Sequence, residues 1–126
     1  MRYVIVLLMT VLSCCAGSLP NNFVNAIHQV ETSGHYGPIW GDNHKAFGPL
    51  QIHKQCWKDS KVAGSWMDCQ DYDYSVHVMN AYLSRFGAKY IETNDYQSLA
   101  RIWNSGPTGK ANPDYWKKVK KVLTNQ

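Results

Sequence analysis

Glutamate is almost missing from this chain. Of its 9 acidic residues, only Glu31 and Glu92 are glutamates. Cysteine is thin as well, with 4 residues, and Cys14 and Cys15 fall in the opening segment. The chain has no Cys-x-x-Cys pair. His28, His35, His44, His53 and His77 show no ligand spacing on one helix. That combination argues against a metal centre, and nothing around the cysteines resembles a protease nucleophile. No Asn-x-Ser/Thr sequon occurs, so N-glycosylation is not expected. No apolar run is long enough to cross a bilayer as a helix. The formal net charge of +4 is too small an excess to argue nucleic-acid binding.

What is present begins with an export signal. Arg2 supplies a short positive region, Tyr3 to Leu12 an apolar one, and Ser13, Ala16, Gly17 and Ser18 the small residues of a cleavage site. Residues 1–18 are therefore expected to be a secretory signal, leaving 19–126 as one domain of modest core. Ser13-Cys14 also resembles a bacterial lipoprotein site, with Cys15 where a polar residue usually follows. The remaining part carries 12 basic against 9 acidic residues, a net of +3. Such a protein is drawn to an anionic surface such as a bacterial wall. Lys117, Lys118, Lys120 and Lys121 form the densest basic run, which is either the solvated face of a helix or a docking patch. In an oxidising compartment Cys56 and Cys69 are expected to pair, which chain entropy values at roughly 3 kcal/mol. The alternative is two buried free thiols.

The periodicity describes a mostly α domain with some β character. Asn21 or Asn22 can cap a first helix with Phe23, Ile27 and Val30 on one stripe. Gly34, Gly37, Pro38 and Gly41 make 33–47 a loop or short irregular hairpin. Pro49 suits the first turn of a helix to about Asp59, and 60–68 reads as a loop. A third helix is predicted over about 70–86, with Gly87 as its stop. Asp95 caps a fourth. Asn112, followed by Pro113 at the first helical position, caps a last helix with Tyr115, Trp116, Val119 and Leu123 inward.

Glu31 is the candidate for acid chemistry. It follows Val30 at a helix end, where apolar neighbours can raise its pKa and keep it protonated near neutral pH. Asp42 lies 11 residues on, among Gly41, Asn43 and His44, in a polar loop that favours the ionised form. Glycoside hydrolysis needs such a pair, an acid for the leaving oxygen and a carboxylate for the developing cation. The bland alternative makes Glu31 a solvated helix-end residue and Asp42 a turn former. Among the aromatics, Tyr36, Trp40, Tyr90 and Trp103 flank the expected cleft as sugar platforms. Trp57, Trp66 and Trp116 read as core.

Several blocks in order narrow this further. They are Gly48-Pro49-Leu50-Gln51-Ile52, Trp57-Lys58-Asp59, Ala100-Arg101-Ile102-Trp103-Asn104-Ser105-Gly106-Pro107, and Tyr115-Trp116. With a glutamate before a Ser-Gly step and an aspartate about a dozen residues later, the chain resembles the invertebrate-type lysozymes over nearly all of 23–123. The resemblance implies the lysozyme-like fold, several short helices with a short hairpin or loop beside the active-site cleft. It implies Glu31 as acid and Asp42 as nucleophile in retaining hydrolysis of the β-1,4 bond between N-acetylmuramic acid and N-acetylglucosamine of peptidoglycan. Gln51 and Asn104 would contact the glycan, and no cofactor or metal is needed. A secreted monomer is expected. An isopeptidase activity reported for some members of the family has no specific nucleophile here.

The chain also departs from that family. It keeps at most one bridge where the family has many. Ser60 and Cys56 stand where the family usually has Cys and Tyr, Trp103 stands for a His, and Thr32 is inserted before Ser33-Gly34. The same blocks resemble, more distantly, the bacterial lytic transglycosylases, which lack a catalytic aspartate and leave anhydro ends. A non-enzymatic wall-binding protein that kept the fold is the other competing reading.

Overall fold

The computed structural model describes residues 17–126. Most of the expected leader, with Arg2, Cys14 and Cys15, lies outside the described residues. Among the described residues, five helices surround one core: α1 Asn21–Thr32, α2 Lys54–Ser60, α3 Tyr72–Glu92, α4 Tyr96–Ser105 and α5 Pro113–Thr124. A small antiparallel sheet, β1 Trp40–Gly41, β2 Ala46–Phe47 and β3 Ile52–His53, sits between α1 and α2, in the order β1-β2-β3. Register pairs Trp40 with Phe47 and Phe47 with Ile52. The architecture is the mostly α, lysozyme-like one that the blocks implied.

Helices α1, α3, α4 and α5 bury residues of the stripes their spacing predicts. Phe23 and Ile27 of α1 meet Met79 and Leu83 of α3, Leu99 and Ile102 of α4, and Val119 of α5 in one cluster that also takes in Phe47, Leu50 and Ile52 from the sheet. Fully burying side chains of this size contributes about 1.5–3 kcal/mol each. The long helix α3 packs against α2 and α4, while α5 closes over α1. That last contact brings the late Tyr115 onto the end of α1.

Local signals hold where the chemistry is local. Asp95 accepts from Ser98 N at 3.1 Å, and Asn112 accepts from Tyr115 N at 3.1 Å. Four expectations need correction. The first helix is capped by the backbone of Pro20, with no side-chain cap, so Asn21 is already helical. Pro49 does not start a helix. Gly48 and Gln51 both have positive φ (83° and 53°), which makes 48–51 a turn and delays α2 to Lys54. The 60–68 loop runs into a 3-10 turn at Trp66–Gln70, capped by Ser65 and Asp68. Gly87 does not stop α3 but kinks it. A side chain there would press on Leu99 and Ile102 of α4, so the glycine serves a close helix crossing, and helix-forming Ala88 and Lys89 let α3 resume.

The bridge expected between Cys56 and Cys69 is not formed. Both are free thiols, Cys69 buried and Cys56 half-buried beside the cleft. Burial pushes each thiol up to about 12, so both stay neutral and packed like small apolar groups.

Candidate active site

Glu31 occupies the last turn of α1. Ser33 in the left-handed region (φ 55°) and Gly34 (φ 77°) turn the chain back immediately after it. The inserted Thr32 anchors this corner, its hydroxyl donating to the Pro49 carbonyl at 2.8 Å. Glu31 is only partly exposed, and burial of its carboxyl raises its pKa from 4.5 to about 7, against the lowering effects of the Tyr115 hydroxyl and the Lys118 charge. Tyr115, 84 residues away on α5, donates its hydroxyl to Glu31 Oε1 at 2.8 Å. Burial and the facing carboxyl push the Tyr115 hydroxyl well above its ordinary range, so it remains a donor.

Two hollows meet at Gln51 to form one cleft. The first, about 500 Å³, is lined by Glu31, Thr32, Tyr36, Trp40, Gly41 and Gln51 among others. The second, about 310 Å³, continues past His53, Cys56, Trp103 and Asn104. Gln51 is more than a wall. Its side-chain amide donates to the carbonyls of Gly48 at 2.9 Å and Ile39 at 3.1 Å, stapling the hairpin to the 48–51 turn. Its other amide atom, Oε1, packs on Gly41 so closely that any side chain there would collide with it. Trp40 stands 41% exposed, its ring backed by Phe47 at 4.3 Å. Trp103, in the position of the family's usual His, lies edge-on to Tyr82 on the cleft wall. Asn104 accepts at Oδ1 from Asn112 Nδ2 and from Ser105 Oγ, each at 3.2 Å.

Asp42 begins the hairpin tip. Asp42, Asn43 and His44 are consecutively left-handed (φ 49°, 52°, 65°), a conformation that short polar side chains tolerate best. The Asp42 carboxylate is exposed and faces His53 Nε2 at 3.4 Å. It lines neither hollow itself, but the preceding Gly41 lines the one that holds Glu31.

The structure thus gathers Glu31, Gln51, Trp40, Trp103 and Asn104 around one cleft, with Asp42 at its rim. Tyr90 is not among them. It lies near the end of α3, packed on the core with Lys89 over its ring at 4.9 Å. Two site residues escape a reading of the sequence. Tyr115 reads as inward core, and its polar end gives no sign of a partner so distant in the chain. His53 follows the Gln-Ile step, where alternation could have turned it toward the cleft.

The sequence has relatives among known proteins. The chain is 32% identical over 125 residues to "Lysozyme" from Magallana gigas, covering 91% of this chain and 88% of that one. The chain belongs to the invertebrate-type lysozyme family. It is 28% identical over 124 residues to "Lysozyme" from Ostrea edulis, covering 93% and 90% of the two chains. It is also 32% identical over 88 residues to "Lysozyme 1" from Crassostrea virginica, covering 66% and 48%. No family model matches the chain. As an invertebrate-type lysozyme it is a glycoside hydrolase. Where the family usually has Cys after Trp-x-Asp, Ser60 donates to the Trp57 carbonyl at 2.6 Å and accepts from Val62 N at 3.3 Å. Two local hydrogen bonds hold the end of α2 at that position.

Proposed function

We propose that this protein is a secreted muramidase, released by removal of residues 1–18, that hydrolyses the β-1,4 bond between N-acetylmuramic acid and N-acetylglucosamine in bacterial peptidoglycan. Glu31 protonates the glycosidic oxygen. Asp42 supplies the second carboxylate and attacks or stabilises the anomeric carbon. Trp40, Trp103 and Asn104 hold the glycan, and Gln51 keeps the hairpin in place under it.

The observation that carries this reading is Glu31 itself, a carboxyl at a cleft wall whose burial brings its pKa to about 7. A general acid needs its proton in the resting enzyme, and proton donation of this kind contributes about 10²–10⁴-fold. With Tyr115 engaging Oε1, the other oxygen is the one that can carry the proton toward substrate. The net positive charge of the chain suits action on an anionic wall.

Mass spectrometry of products from purified peptidoglycan tests the assignment. Glu31→Gln is expected to lose at least about a hundredfold in rate, and the wild type to release reducing muramic-acid ends. Undiminished activity in Glu31→Gln would sink the reading. The exposure of Asp42 favours one second reading, a lytic transglycosylase. Full activity in Asp42→Asn together with 1,6-anhydro ends would select it.

A further inference from the structure

Behind Glu31 lies another hollow that this reaction leaves unused. It occupies the groove between α4 and α5 and has a volume of about 280 Å³. Gln97, Ser98 and Arg101 line it from α4, and Asn112, Tyr115 and Trp116 from the start of α5. The spacing is i, i+1, i+4 on one element and i, i+3, i+4 on the other, so each set shares one face.

Its chemistry is two-sided. The rings of Tyr115 and Trp116 make an aromatic wall. Among the described residues Arg101 is the one charged group lining it, and the guanidinium spends one N–H on the Gly109 carbonyl at 3.0 Å, leaving donors for an anionic acceptor. Asp95 stands behind the wall with its carboxylate occupied by the Ser98 hydroxyl at 2.7 Å. Asp114 follows Pro113 on α5, and Lys117 and Lys118 lie beyond Trp116 on the same helix.

Its position ties it to the cleft. The Tyr115 ring is a wall of this hollow, and the Tyr115 hydroxyl holds Glu31. Asn112 lines the hollow and bonds to Asn104 of the cleft wall. Tyr115 therefore links the two, lining this hollow while its hydroxyl bonds to the carboxyl that lines the cleft.

We propose that the α4–α5 hollow receives the carboxylate-bearing peptide arm of the muramyl unit whose glycosidic bond is held at Glu31, with Arg101 meeting a carboxylate and Trp116 the apolar part of the arm. This rests on the muramidase reading above. The arm leaves through the lactyl ether of the same ring whose anomeric carbon reacts, so a ring seated at Glu31 starts its arm close to Tyr115. A plain N-acetylglucosamine chain carries no carboxylate and gains nothing from Arg101. The hollow would distinguish peptide-bearing wall from chitin-like glycan.

The test uses Gln97→Glu, which adds a negative charge at an exposed position on the rim, and Arg101→Gln. Substrates are intact peptidoglycan, peptidoglycan stripped of its peptides by an amidase, and N-acetylglucosamine oligosaccharides. Both variants are expected to lose about tenfold in kcat/KM on intact peptidoglycan, to lose less on the amidase-treated glycan, which keeps only the freed lactyl carboxylate, and to stay within about twofold of wild type on the N-acetylglucosamine oligosaccharides. Muramyl dipeptide is expected to shift the Trp116 indole resonance in the wild type and much less in Gln97→Glu. Equal losses on all three substrates, no loss on any, or an unmoved Trp116 would overturn the proposal. Should Arg101→Gln fail to fold through loss of its bond to Gly109, Gln97→Glu still decides. A wild type inactive on all three glycans would refute the muramidase reading instead, and the dipeptide titration would then judge the hollow alone.

Discussion

At the scale of single residues, Glu31 in its proposed role sets a conflict between stability and catalysis. Its pKa is about 7 in the folded protein, against 4.5 for an ordinary glutamate. The folded state therefore holds a proton that the unfolded chain has released between those values. Stability is unaffected below about pH 4.5, falls as pH rises toward 7, and stays lower above it, by on the order of 3 kcal/mol. Glu31→Gln should accordingly raise Tm at pH 8 and leave it unchanged at pH 4. Thermal melts at the two pH values check this, and a gain equal at both would refute it. Activity should decline as pH passes upward through 7, where the acid loses its proton. Tyr115→Phe removes a hydrogen bond that favours the ionised carboxylate, so it should push the Glu31 pKa higher still. The alkaline limb of the kcat/KM profile would move to higher pH, and a limb that stays in place would show that the hydroxyl does not act on Glu31.

At the scale of elements, the hairpin owes its position to a glutamine. Gly41→Ala would drive a methyl group into Gln51 Oε1 and loosen the staple to Ile39 and Gly48. The hairpin carries Trp40 and Asp42, so rate should fall about tenfold or more, a 1 Å misplacement being able to cost a hundredfold. Unchanged Tm with reduced kcat would locate the effect in the site, and unchanged kcat would show that the staple is dispensable. This element also shows what can be read from sequence. Asp95 and the Asn112-Pro113 pair announce their helices because caps act within four residues. The Gly-rich stretch announces a loop or hairpin, and the hairpin is there. The helix expected from Pro49 is missing because the positive φ of Gln51 is held by contacts to Ile39 and Gly48 that no local pattern encodes. The raised pKa of Glu31 is legible from its apolar helix end, while its partner Tyr115 is not, since 84 residues separate them.

At the scale of the whole molecule, one cluster joins the sheet, α1, α3, α4 and α5, so the parts of the site share a single foundation. Phe23 is fully buried at its centre. Phe23→Ala should cost about 3–5 kcal/mol in denaturant unfolding, and a loss under about 1 kcal/mol would mean that the core collapses around the gap. Because α5 carries both Tyr115 and a wall of the α4–α5 hollow, loosening the core would disturb the proposed acid as well.

The start of the folded domain bears on when the chain can be trimmed. Leu19 is buried, and its backbone N–H donates to Asn80 Oδ1 on α3 at 2.8 Å, whereas Gly17 and Ser18 are exposed. A processing protease can therefore still reach the bond after Gly17 once the chain has folded. The bond after Leu19 is shielded by the fold it helps to close, so cutting there belongs to the newly made chain or does not happen.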